Sequence, residues 1–268
     1  MAKRTRYRSG LSVKDRRGLA ITAAAVATTV VMIALSFALK DRGSYNADTL
    51  CPTDRTYPRT VLIVDKTDVF SPAQSSFLRA EIIRLRESLT QYEKLSIYVL
   101  NEANFGAPKP VFELCNPGSG EDANALYQNP RKIKQRFDER FGRPLDQALV
   151  TLTQGEEAKS SPIMEMIQNV AFAENLQGTS DRKRLYLISD MLQHTPVYSQ
   201  YKSAIDFDAF ARTDQLKRVQ VALPNVAVYI FYLFRRGQEK LQTAKHTAFW
   251  ERYFDSMGAK LVDVRYGP

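Results

Sequence analysis

The sequence predicts a doubly wound α/β domain, a mostly parallel sheet with helices on both faces, preceded by one transmembrane helix. Three observations carry this reading. From residue 60 onward, short apolar and β-branched runs alternate with stretches of helical period. Two of those runs end in a carboxylate, Asp65 closing TVLIVD and Asp190 closing LYLISD. Ahead of them, residues 19–39 form an apolar stretch without a single charge.

That stretch is long enough to cross a bilayer as a helix, and Lys40-Asp41-Arg42 closes it. Residues 1–18 form a basic tail holding Lys3, Arg4, Arg6, Arg8, Lys14, Arg16 and Arg17 against one acid, Asp15. This places the N-terminus in the cytoplasm and exports the C-terminal domain, into a periplasm or the extracellular space. A cleaved signal peptide is the rival reading, but the basic and apolar regions are too long for one and no small-x-small site closes them. The tail carries +6 of the net charge of +9. The folded part is therefore near balance, which argues against a nucleic-acid partner, because such binders concentrate basic charge on the folded surface.

Residues 40–59 read as a linker, polar and punctuated by Gly43, Pro52 and Pro58. The domain proper is expected over 60–268. The only cysteines are Cys51 and Cys115. In an oxidising compartment they can bridge, which would pin the linker to the domain body. Two unrelated buried thiols are equally compatible with the sequence.

Along the chain, Thr60–Val64 is expected as a strand, then Ser71–Gln91 as a helix with Leu78, Ile82, Leu85 and Leu89 on one face. Ser71, Pro72 and Gln74 mark its start as a capping box. Leu95–Leu100 is the second strand. The short Val111–Leu114 comes next without room for a crossover helix, so it is expected antiparallel at an edge. A helix bearing Ile133, Phe137 and Phe141 is expected to break at Gly142 and Pro144, then resume with Leu145, Leu149 and Leu152. Ser161-Pro162 opens another helix. The strand 184–189, a polar loop, a helix over 207–219, the strand 226–234, an aromatic-rich helix over 239–257 and a last strand at 260–264 complete the chain.

Ligands in open α/β sheets gather at strand C-terminal ends, where strand order reverses. Asp65 and Asp190 both fall at such ends, and Ser161 falls in an adjoining loop. Singly, each has an ordinary explanation: Asp65 and Asp68 as turn caps, Ser160 or Ser161 as a helix start, Asp190 bonded within its own loop. Together, hydroxyls beside carboxylates suit a hard cation. Ser189 with His194 hints at a nucleophilic triad, but there is no Gly-x-Ser-x-Gly elbow, and His246 falls within an expected helix.

The layout resembles a von Willebrand factor type A (vWA) domain, over roughly residues 60–266. That family carries a metal-ion-dependent adhesion site built from Asp-x-Ser-x-Ser after the first strand, a Thr in a second loop and an Asp after a later strand. Asp65-Lys66-Thr67 is similar to the first half of the motif, Ser161 sits where the second-loop hydroxyl belongs, with Ser160 as the alternative, and Asp190 matches the later Asp. The third motif position is Val69, which carries no oxygen; Asp68 or Ser71 could stand in. The resemblance implies Mg²⁺, Mn²⁺ or Ca²⁺ held by Asp65, Thr67, Ser161 and Asp190, with a carboxylate from another protein completing the shell. The function so implied is metal-dependent protein–protein interaction by a membrane-anchored domain, most naturally on a bacterial inner membrane, rather than an enzyme. A metal-dependent phosphoesterase using the Asp65/Asp190 cluster, and a metal-free structural docking module, are the alternatives.

Overall fold

The computed structural model describes residues 13–38, 45–101, 104–120, 129–152, 158–178 and 182–268. The chain divides into two compact units, Met1–Gly43 and Ser44–Pro268. In the first, helix α1 spans Val13–Ala38. Within it Arg17–Leu35 is long and apolar enough to cross a membrane.

The second unit is built on a six-stranded sheet. Its strands are β1 (Arg59–Asp65), β2 (Lys94–Leu100), β3 (Phe112–Cys115), β4 (Lys183–Ser189), β5 (Val226–Tyr232) and β6 (Lys260–Tyr266). Their order is β3-β2-β1-β4-β5-β6, and all neighbours are parallel except β2 with β3. This is the doubly wound, mostly parallel sheet of vWA/Rossmann-like kind that the sequence predicts, with β3 as its antiparallel edge. From β1 the chain winds outward to β2 and β3, then returns to the other side of β1 as β4. The switch in strand order therefore lies between the C-terminal ends of β1 and β4, and β1 ends at Asp65.

Alternation along each strand feeds two cores. Val61 and Ile63 of β1 point into one, with α5 (Ile163–Ala173), α6 (Phe207–Ala211), α7 (Asp214–Val219) and α8 (Ala244–Ser256). Leu62 and Val64 point into the other, with α2 (Pro72–Glu87) and α4 (Arg143–Leu152). Because β1 is covered on both faces, the carboxylate at its end sits only 6% exposed.

Four helices differ from expectation: α2 ends at Glu87, with Ser88 as its C-cap, short of the expected Gln91, and three others depart further. The predicted break at Gly142 and Pro144 is replaced by a π turn, Asp138–Gly142, that joins α3 (Pro130–Phe137) to α4 without interruption. Pro144 has no N–H, and its ring would clash with the carbonyl four residues back; the wider turn, with Arg143 N–H donating to Asp138 O, absorbs both defects. The helix expected over 207–219 is two short ones, parted where the Thr213 hydroxyl bonds to Phe210 O. The last helix begins at Ala244, not 239, because residues 238–243 are spent on turns, with Gln242 turned inward to Asp190 and Leu233 carbonyls.

Much of the segment expected as linker is anchored to the domain. Tyr45 bridges Pro52, Cys115 N–H donates to Thr49 O, and Tyr45 stacks on Tyr92 at 5.5 Å. Cys51 and Cys115 are joined by a disulfide, which ties this segment to the end of β3.

Candidate functional site

Four sequence-predicted residues converge at the switch point, and Asp65 is their hub. Its Oδ1 accepts from the Thr67 amide at 3.0 Å and the Thr67 hydroxyl at 2.7 Å. Its Oδ2 accepts from Ser161 Oγ at 3.1 Å and Ser189 Oγ at 2.7 Å. The sheet brings Ser189 there directly, since β4 runs parallel beside β1 with Ile188 opposite Val64. Ser161 arrives from a loop that is held by exchanged backbone bonds with His194, at 2.7 and 3.0 Å. Ala158 N–H also donates to Thr67 O.

Ser161 therefore does not cap the helix it precedes. The N-cap residue of α5 is Pro162, without a side-chain bond, and Gln193 Oε1 accepts from Met164 N–H in its place. Ser189, raised in the sequence only as half of a Ser189–His194 pair and set aside, joins this cluster. Its hydroxyl serves Asp65, while His194 Nδ1 lies 2.8 Å from Ser199 Oγ, so no Ser189–His194 pair forms. Ser189 is the last residue of β4, and only the pairing of β4 with β1 reveals that its hydroxyl faces Asp65.

Asp190 sits beside this hub, 8% exposed. Its Oδ1 accepts from Leu192 N–H at 2.8 Å. Its Oδ2 is buried without a hydrogen bond among the described residues and faces Arg235 Nη1 at 3.5 Å. Burial raises the Asp190 carboxyl well above the usual range, and the charges of Asp65 and Asp68 push the same way, against the Leu192 amide and Arg235. The following residue, Met191, adopts a left-handed φ of 62°. Its carbonyl accepts from the indole of Trp250 at 2.9 Å, so the loop after β4 is fastened to α8.

The remaining candidates are engaged elsewhere. Ser71 closes a capping box with Gln74, at 3.0 and 3.2 Å, which uses the hydroxyl for the helix. Asp68 pairs with Arg235 Nη2 at 2.5 Å. Of the two adjacent serines, it is Ser161 and not Ser160 that bonds to the hub. Val69 is 63% exposed on the wall of a cavity of about 490 Å³ that also meets Asp65, Asp68, Asp190, Phe234 and Arg235.

Among the described residues no three His, Cys, Asp or Glu side chains come together as a metal cage. What converges is two carboxylates and three hydroxyls. These are hard oxygens, the donor type that Mg²⁺, Mn²⁺ and Ca²⁺ take. Each hydroxyl spends its proton on Asp65; Thr67 and Ser161 keep lone pairs, Ser189 keeps one after accepting from Met191 N–H at 2.8 Å, and Asp190 Oδ2 is an unbonded buried acceptor, so the set fits a hard cation in kind.

No family model matches the sequence, and no curated protein matches it. Solved structures with a similar fold include the VWA domain of SpRpn10, at 10% identity over 79% of this chain and 88% of that one, with a TM-score of 0.39. Another is the conserved hypothetical protein BatB from Bacteroides thetaiotaomicron, at 11% identity over 79% and 90%, TM-score 0.34. A third is an aerotolerance-related membrane protein from Bacteroides fragilis NCTC 9343 with multiple mutations to serines, at 12% identity over 79% and 91%, TM-score 0.35.

Proposed function

We propose that this chain is a membrane-anchored interaction module, and that the Asp65 cluster is a hard-cation site completed by a carboxylate of a partner protein. The observation that carries the reading is the convergence on one buried carboxylate of hydroxyls from three separate segments, with Asp190 beside them. Asp65 holds the Thr67, Ser161 and Ser189 hydroxyls in place, so their lone pairs are pre-oriented, while Asp190 adds a second carboxyl group that a bound cation would hold ionised. A bound Mg²⁺ or Mn²⁺ would supply the positive charge that draws in an acidic side chain.

The same reading places α1 across a membrane with the basic tail in the cytoplasm and the domain outside, on a bacterial inner membrane with the domain in the periplasm. The Cys51–Cys115 disulfide supports an oxidising location for the domain.

The test is a calorimetric titration of MnCl₂ into the full chain in detergent micelles, repeated with Asp65→Ala. Saturable binding by the parent that is lost in the variant supports the cation site; no binding by the parent removes it. Partner capture that persists unchanged in EDTA would favour a metal-free docking module instead. Turnover of a generic phosphoester, abolished in Asp65→Asn, would favour a phosphoesterase.

A further inference from the structure

Arg235 sits where an incoming cation would meet repulsion. It lies just past β5 and reaches back over the cluster, with Nη2 2.5 Å from Asp68 Oδ1 and Nη1 3.5 Å from Asp190 Oδ2. The same Nη1 donates to the Tyr201 hydroxyl at 2.6 Å, and the guanidinium lies 5.7 Å from the Tyr201 ring centroid. Its backbone is fixed as well. Arg235 N–H donates to Gln242 Oε1 at 2.7 Å, and Gln242 Nε2 donates to the carbonyls of Asp190 and Leu233. A surface arginine that merely neutralised acids would not be held at both its head and its root.

We propose that Arg235 is a resident internal cation that competes with the divalent ion for Asp190, so that loading the site requires the guanidinium to let go. This rests on the cation reading of the cluster. The chemistry is simple: a guanidinium is always charged, and it cannot yield by losing a proton as a lysine could. It can yield only by moving. Asp68 is then the anchor of the guard, not a ligand, which also accounts for its pointing at Arg235. Release of the Arg235 guanidinium leaves the backbone of residues 234–242 held through Gln242. Arg235 itself lines the open cavity beside Phe234 and Arg236, so cation occupancy is coupled to the shape and charge of the partner-facing rim.

The experiment titrates MnCl₂ into the full chain in detergent micelles, comparing parent, Arg235→Gln and Arg236→Gln by calorimetry. Arg236 carries the same charge on the same cavity wall and controls for a general field effect, which salt screens. Arg235→Gln is expected to bind Mn²⁺ about tenfold more tightly or better, with Arg236→Gln within about twofold of the parent. Equal binding by parent and Arg235→Gln would overturn the guard and leave the cation site standing. Equal tightening in Arg236→Gln would also overturn it. No binding by any variant would overturn guard and cation site together. Should Arg235→Gln not fold, Tyr201→Phe removes one hold on the guanidinium and is expected to tighten binding severalfold; an unchanged affinity there contradicts the proposal.

Discussion

The hydroxyl of Ser189 donates to Asp65 Oδ2 over 2.7 Å, joining the C-terminal ends of two adjacent parallel strands. Ser161 shares the same oxygen from a separate loop, and Thr67 occupies the other. Asp65 is thus the acceptor that holds the site's segments in register.

Its removal should cost stability even without a ligand. Asp65→Ala leaves buried hydroxyls without an acceptor and is expected to cost on the order of 3 kcal/mol, against about 1 kcal/mol for Ser189→Ala. Urea unfolding of the two variants checks the order. Equal and negligible losses would mean that the hydroxyls find other partners.

His246 sets a pH dependence. It is fully buried, with Nδ1 2.6 Å from the Tyr232 hydroxyl and Nε2 3.0 Å from Gln200 Oε1. Burial pushes its pKa from 6.5 down to about 4, although a backbone contact with Met191 works the other way. Below pH 6.5 the unfolded chain takes up a proton and the folded one does not, so stability falls as pH drops through that window and levels off below about 4. The expected loss is about 3 kcal/mol. Denaturation midpoints of the parent and His246→Gln across this range check it; the variant should be less stable at pH 7 but show a shallower slope.

Glu93 acts through a different window. It is fully buried and pairs with Arg182 at 2.8 Å and Arg184 at 2.7 Å, while accepting from Thr60 and Thr90. Burial alone would raise its pKa; the bonds from Thr60 and Thr90 and the charge of Arg184 outweigh that and lower it. Its contribution is present above the ordinary value of 4.5 and fades as pH drops through the lowered one. Glu93→Ala strands the mostly buried Arg184, while Arg182 stays solvated, and is expected to cost about 3 kcal/mol, read by thermal or urea unfolding at pH 7.

The disulfide closes a long loop, its cysteines lying 64 positions apart in sequence. Chain entropy puts its contribution at about 4 kcal/mol, an upper figure because reduced chains retain structure. Paired unfolding curves with and without reductant, alongside a Cys51→Ser/Cys115→Ser chain, check the size of the loss. No change in midpoint would show that the cross-link adds nothing to the stability of the fold.

The sheet was legible because each buried strand is an apolar run with its own turn signals, and the antiparallel edge could be read from the short step into β3. Of the converging positions, Asp65 and Asp190 were legible from their place at strand ends, and Thr67 and Ser161 from the resemblance to the vWA motif. Ser189 was not, because a hydroxyl inside an apolar strand looks like any other until the neighbouring strand is known. Arg235 was invisible for the same reason: nothing local links it to Asp68 or Asp190, which precede it by 167 and 45 residues. The pairing of Cys51 with Cys115 stayed open because it depends on where β3 lies. At Pro144 a local rule was overridden, since a π turn let one apolar face continue through a residue that normally ends a helix.

The proposed cation site is open to a decisive observation, a crystal structure of the chain grown with Mn²⁺ and read by its anomalous difference map. A peak is expected among the Thr67, Ser161 and Ser189 hydroxyls, Asp65 and Asp190, with the Arg235 guanidinium drawn away from Asp190. An empty map at saturating Mn²⁺, with Arg235 still bridging Asp68 and Asp190, would refute both the site and its guard.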